Sequence, residues 1–149
     1  MESTSRPTVD LSASCGCGAV TLTLKGRVKA MLLCACEDCQ KTTGTGHSTA
    51  IAASADDLTV TGKLTSFARP ADSGATYTRW FCPVCGVTMY GISSRAPRLA
   101  TLPAGLFGAQ TEGWYAPSQM IFARSHRDWD TVPVDLPQHA TYRKAETSA

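Results

Sequence analysis

The sequence predicts a mainly β fold of short antiparallel strands, on three observations. Apolar and polar residues alternate over short runs, the 12 glycines and 8 prolines cluster between those runs, and only one stretch has helical character. Val20, Leu22 and Leu24 alternate with Thr21 and Thr23, the pattern of a half-buried strand. Ala30–Leu33 is a short apolar run leading into Cys34. Ala50–Ala53 and Leu58–Leu64 read as further strands, the second holding Leu58, Val60 and Leu64 around Gly62. Asp72-Ser73-Gly74 signals a turn, so Leu64–Ala68 and Thr76–Phe81 are expected to pair as a hairpin. Thr88–Ile92, Leu99–Leu102 and Met120–Ala123 complete the strands, and Glu37–Thr43 is the one helix, of one or two turns.

With 149 residues the chain fits one domain, expected over 11–143 with loose ends at 1–10 and 144–149. A domain of this length buries roughly 70% of its unfolded surface and needs no metal merely because it is small. The 43% apolar and 17% charged fractions are those of a globular protein. The formal charge of +2 counts every thiol as neutral; seven thiolates remove seven charges and two zinc ions restore four, which would leave −1. No run of Lys and Arg suggests a nucleic-acid or membrane surface. Met1–Asp10 carries no apolar signal-peptide core, and no stretch approaches the ~18 apolar residues of a membrane span. A cytoplasmic location is the expectation, in keeping with an odd, closely spaced cysteine set that suits metal better than disulfides.

The seven cysteines fall into three groups, Cys15-Gly-Cys17, Cys34-Ala-Cys36-Glu-Asp-Cys39 and Cys82-Pro-Val-Cys85. Zinc binds thiolates at about 2.3 Å, so ligand sulfurs must approach within about 4 Å of one another. Tight turns achieve this where glycines relieve strain; Gly16 and Gly18 frame the first pair and Gly86 follows the last. Cys15, Cys17, Cys82 and Cys85 therefore form a closed four-thiolate structural site. Cys34, Cys36 and Cys39 remain, three ligands with no cysteine left over, which points to a zinc with an open position. Zinc with three thiolates is a poor Lewis acid but suits the binding and ionisation of an incoming thiol. One alternative stays open at this stage: a second structural zinc with His47, bracketed by Gly46 and Ser48, as fourth ligand. His126 and His139 read as surface residues. Core thiols, a disulfide framework and a Cys82/Cys85 redox pair fit the spacing less well.

Taken together these residues resemble the glutathione-dependent formaldehyde-activating enzyme family, which includes centromere protein V relatives. The resemblance spans Ser14 to Trp129: Cys15-Gly-Cys17-Gly18-Ala-Val, the Cys34 triplet followed by Lys41 and Gly44, Leu58-Thr-Val-Thr-Gly62-Lys-Leu before Phe67, Phe81-Cys82-Pro-Val-Cys85-Gly86, then Pro117 and Arg127-Asp-Trp129. It implies a β-tent fold of short coiled sheets around the closed zinc, the same division of ligands, and a carbon–sulfur lyase activity that joins glutathione to formaldehyde as S-(hydroxymethyl)glutathione. Two departures bear on the pocket. Leu102-Pro-Ala-Gly-Leu106-Phe-Gly stands where many relatives carry an acidic pair, and Pro117-Ser-Gln119 where many carry a histidine.

The expected function is therefore a zinc-dependent carbon–sulfur lyase acting on a small thiol adduct, with two zinc ions per chain. Lys41 and Arg79 are candidates to pair with glutathione carboxylates. Glu37 and Asp38, inside the ligand loop, read as solvated or helix-capping groups; Trp80, Phe81 and Tyr90 read as core. The rival is a non-catalytic zinc module for protein or nucleic acid, against which stands the missing basic face. A methionine-sulfoxide-reductase-like chemistry would need a spare cysteine, and none is left over.

Overall fold

The computed structural model describes residues 6–142, and its regular structure is mainly β. Its strands are β1 (Thr8–Ser14), β2 (Thr21–Cys34), β3 (Ser48–Ser54), β4 (Leu58–Thr61), β5 (Thr65–Pro70), β6 (Thr76–Phe81), β7 (Thr88–Ser93), β8 (Leu99–Pro103) and β9 (Met120–Ile121). The helix α1 covers Glu37–Thr43, where the sequence places it, and short 3-10 turns fill several connections. Strand order is β1-β2-β3-β8-β7-β6-β5, with β4 and β9 each added to β2. The chain divides into two compact units, Met1–Ala30 with Ile51–Tyr115, and Met31–Ala50 with Ala116–Ala149.

In the first unit β1 pairs antiparallel with β2, Leu11 opposite Leu24, and β4 pairs with β2, Leu22 opposite Val60. Leu11, Val20, Leu22, Leu24 and Val28 are buried, as are Ile51, Met89, Leu102 and Phe107. Each such side chain contributes about 1.5–3 kcal/mol through its removal from water. β1 takes in Thr8–Asp10, which the sequence left in a loose end; Thr8, Asp10 and Ser12 alternate with Val9 and Leu11 too weakly to announce a strand. Residues 1–5 and 144–149, the rest of the expected loose ends, lie outside the described residues. The β5–β6 hairpin forms as expected, Phe67 opposite Arg79, and β6 continues onto β7 with a bulge between Trp80 and Phe81. Trp80 stacks on Tyr90 at 5.0 Å. These two rings and Phe81 are half-buried rather than core. Glycine makes room for an aromatic on this sheet: a Cβ at Gly91 would lie 2.0 Å from the Tyr77 hydroxyl, which bonds Thr101 Oγ1 at 2.6 Å.

In the second unit the end of β2 pairs parallel with β9, Leu33 opposite Met120 and Cys34 opposite Ile121. Leu33, Ala35, Met120 and Leu136 form its buried cluster, with Ala123 and Val132 packed against it. β2 is one strand of 14 residues where the sequence suggested two runs. Its buried residues shift from Leu22, Leu24 and Val28 to Met31 and Leu33, from even to odd positions, and a pattern that changes phase does not read as continuous. After β9, Phe122 takes a left-handed conformation (φ 58) that turns the chain into a 3-10 turn at Ala123–Ser125. Among the described residues no helix is long and apolar enough to cross a membrane.

β4 stops at Thr61, short of the expected Leu64, because Gly62 turns away with φ 104. A Cβ there would sit 2.2 Å from the Ala19 carbonyl oxygen, directly before the segment that carries the first cysteine pair into β2. Gly62→Ala is expected to cost about 2 kcal/mol, read as a lower urea midpoint at unchanged slope. A loss under about 0.5 kcal/mol, the ordinary range of a surface substitution, would contradict the close approach.

Candidate functional site

The first cysteine set is built by two tight turns. Between β1 and β2 the Cys15 amide donates to the Val20 carbonyl at 2.9 Å, and Gly18 (φ 82) donates back to the Cys15 carbonyl at 3.2 Å. After β6, Cys82 donates to Val87 at 3.0 Å and Gly86 (φ 80) to Cys82 at 2.9 Å. Each turn aims amides at a sulfur: Val20 N–H at Cys15 Sγ (3.3 Å), and Val84 and Cys85 N–H at Cys82 Sγ (3.4 and 3.5 Å). Such donors stabilise a thiolate. The four sulfurs of Cys15, Cys17, Cys82 and Cys85 lie within 4.8 Å of one another. Cys15–Cys17 and Cys17–Cys82 are both 3.7 Å apart. Thiolates held at about 2.3 Å around a tetrahedral zinc would stand about 3.8 Å apart, so the set fits that ion.

Electrostatics show what crowding thiols costs without a cation. Burial opposes ionisation of Cys15, but the Val20 amide and the neighbouring thiols outweigh it and hold its pKa down to about 6. At Cys17 the Ala19 amide favours the thiolate, yet the neighbouring sulfurs, Cys15 foremost, push the pKa up to about 11. Cys85 is lowered, chiefly by the Val87 amide. Adjacent sulfurs thus oppose one another's ionisation unequally, Cys15 lowered and Cys17 raised.

The triplet lies inside the second unit. Cys34 ends β2, Cys36 caps α1 and accepts the Cys39 amide at 3.3 Å, and Cys39 sits in the first turn. The three sulfurs lie within 4.8 Å of one another, and no other ligand-type side chain among the described residues joins them. Cys34 is raised far above an ordinary thiol by its bonds to Cys36 and Cys39, with burial adding to this. Cys39 is pushed up to about 11: its bond to Cys34 lowers it, but Cys36 and burial raise it more, while the Ser48 hydroxyl favours the thiolate. The loop is braced from within its unit. Gln40 Nε2 donates to the Ala35 and Ser125 carbonyls at 2.8 and 2.9 Å, and Arg127 reaches Gln40 Oε1 and Glu37 Oε2 at 3.1 and 3.0 Å. Glu37 is thereby engaged in an ion pair.

His47 does not join the thiolates. Its Nδ1 lies 2.6 Å from Asp130 Oδ2, which also meets His126 Nε2 at 2.7 Å. His126 is thus no surface residue: its side chain is 16% exposed. The cluster was hidden in the sequence because His47 and Asp130 stand 83 residues apart. The His126/Asp130 spacing of four was its only local signal. Lys41 is exposed on α1, and Arg79, on β6 in the first unit, lies over the Phe81 ring at 4.7 Å. Gln119 Oε1 is a buried acceptor without a hydrogen-bond partner.

Fold and cysteine geometry define a mainly β protein able to hold metal on thiolates at two places. Residues 10–125 match the sequence profile described as glutathione-dependent formaldehyde-activating enzyme, and the chain belongs to that family. Its function at the family level is accordingly related to glutathione and formaldehyde activation. A crystal structure of a Rhodobacter sphaeroides protein is similar, at 20% identity and a TM-score of 0.53, over 66% of this chain and 89% of that one. No curated protein matches.

Burial opposes ionisation of Asp130, but the bonds from His47 and His126 outweigh it and hold its pKa below the usual carboxylate value. A depressed carboxyl stabilises the fold above its unfolded pKa of about 3.9, and that contribution fades as pH falls through the folded value. Asp130→Asn is therefore expected to cost about 1–3 kcal/mol at neutral pH. The gap to the parent protein should narrow progressively as pH falls below about 4 in thermal melts; a gap independent of pH would contradict the assignment.

Proposed function

We propose that this chain is a zinc-dependent carbon–sulfur lyase of the S-(hydroxymethyl)glutathione synthase type, acting on glutathione and formaldehyde or a related small thiol adduct. The observation that carries the reading is the triplet: three sulfurs converge and no fourth protein ligand joins them among the described residues. A catalytic zinc site keeps three protein ligands and leaves one position to water or substrate. In this reading Cys15, Cys17, Cys82 and Cys85 hold a structural zinc and Cys34, Cys36 and Cys39 a reactive one. A zinc ion bound there would supply a low pKa to an incoming thiol.

The protein's own part is to position and to discriminate. The glutathione thiolate attacks the carbonyl carbon, a C–S bond forms, and the π pair moves to oxygen, which then takes a proton; cleavage is the reverse. Cys36 at the start of α1 and the Gln40–Arg127–Glu37 brace hold the loop that carries the ligands. Lys41, exposed two residues beyond Cys39, is proposed to meet a glutathione carboxylate. Arg79, the other cation the sequence offers, belongs to the first unit, where its guanidinium lies over Phe81. We place the protein in the cytoplasm, where thiols stay reduced and glutathione is abundant. A non-catalytic zinc module remains the alternative outcome of the test.

Formation of S-(hydroxymethyl)glutathione from glutathione and ¹³C-formaldehyde is measured by exchange NMR with zinc-loaded protein. The parent protein should accelerate exchange, and Cys36→Ser should lower the acceleration by roughly 100-fold while the domain stays folded. Cys82→Ser should instead unfold the first unit. No acceleration, together with unmoved resonances around Cys34–His47 at millimolar glutathione, would sink the lyase reading.

A further inference from the structure

The second unit contains another convergence of ligand-type side chains, which the lyase reading does not use. His47 Nδ1 and His126 Nε2 approach one and the same oxygen, Asp130 Oδ2, at 2.6 and 2.7 Å. A carboxylate offers two oxygens, and a network that merely oriented two imidazoles could use one for each. Here both rings use the same oxygen, and one ligand atom from each of the three side chains lies within 4.8 Å of the others. The side chains are 14–19% exposed, shielded from bulk solvent yet within reach of it. They come from separate pieces of chain: the loop before β3, the end of the 3-10 turn after β9, and the loop beyond. Glycine is required behind the carboxylate, because a Cβ at Gly46 would lie 2.2 Å from Asp130 Cγ. The carboxylate is thus packed against Gly46, Oδ2 included, while both rings reach that same oxygen.

We propose that His47, His126 and Asp130 form a third metal site, one for a borderline divalent first-row ion of the zinc class. Two imidazoles and one carboxylate suit zinc, cobalt, nickel or ferrous iron rather than the all-oxygen preference of calcium or magnesium. The ring nitrogens that face Asp130 are Nδ1 of His47 and Nε2 of His126. A ring that carries its proton on the nitrogen away from Asp130 turns a lone pair toward the ion. With bonds of about 2.0–2.2 Å the ligand edges open beyond the hydrogen-bond distances, which small rotations of the two rings supply. Two neutral rings and one carboxylate leave a divalent ion with a net charge of +1, opposite in sign to zinc on three thiolates. Such a centre would clip the loop before β3 to the segment 126–130 and keep a position open for water or a small anion.

The test titrates cobalt(II) into full-length protein whose thiolate sites are already loaded with zinc. One further equivalent should bind with visible d–d bands and no thiolate-to-cobalt charge-transfer absorption. Its affinity should fall at least ~10-fold in His126→Ala and persist in Cys36→Ser. Should His126→Ala fail to fold, long-range ¹H–¹⁵N spectra of the parent protein decide: zinc should shift His47 Nδ1 and His126 Nε2 to metal-bound values. Cobalt that binds only with charge-transfer absorption, binding undiminished in folded His126→Ala, or ring nitrogens unmoved by zinc would each overturn the proposal and leave a proton-bearing staple. None of these readouts depends on lyase activity.

Discussion

Sulfur atoms crowded within 4.8 Å of one another impose the constraint on which the rest of this molecule rests. Thiolates repel, so bringing four together requires turns that hold the chain tight and amides that face inward. Gly18 and Gly86 adopt left-handed conformations on the far side of each pair, and the Val20, Val84 and Cys85 amides point at sulfur. The opposed pKa shifts of Cys15 and Cys17 reflect that crowding, each sulfur bearing on its neighbour's ionisation. A cation resolves the conflict by accepting all four. The strands β1, β2 and β6 are then the rigid supports that present the two turns.

The triplet is built differently. It needs no knuckle glycine, because a strand end and a helix start bring Cys34, Cys36 and Cys39 together. Its surroundings are set by long-range side-chain bonds: Gln40 and Arg127 fix α1 to the 125–127 segment. Three sulfurs carry less negative charge than four. In the proposed reading a metal held on them would be left incomplete, which would separate a reactive centre from a scaffold. His47 and His126 do not complete the triplet, since both bond Asp130.

Where a signal is local, the sequence carries it. Cysteine spacing with flanking glycines marks both turns, Glu37–Thr43 becomes the helix, and Thr76–Phe81 is a strand to the residue. Signals that depend on tertiary pairing were not legible. β1 lacks strong alternation and forms because β2 supplies a partner; β2 changes its buried phase mid-strand and so reads as two. The His47–Asp130–His126 cluster joins positions too far apart for any spacing rule. Gly46 gave no hint that its hydrogen stands where a methyl would strike Asp130. The departures at Gln119 and in 102–108 were visible as text; in the fold, Gln119 Oε1 proves to be a buried acceptor without a partner.

The central claim is the partition of seven sulfurs into a saturated four and an open three. An anomalous-difference map at the zinc edge, from crystals of protein prepared with ample zinc and soaked with glutathione, tests it directly. The account predicts a peak at the centre of Cys15, Cys17, Cys82 and Cys85, and another at Cys34, Cys36 and Cys39 whose remaining position is filled by a sulfur from outside the chain. A triplet without a peak, or one whose metal is closed by His47, would contradict it.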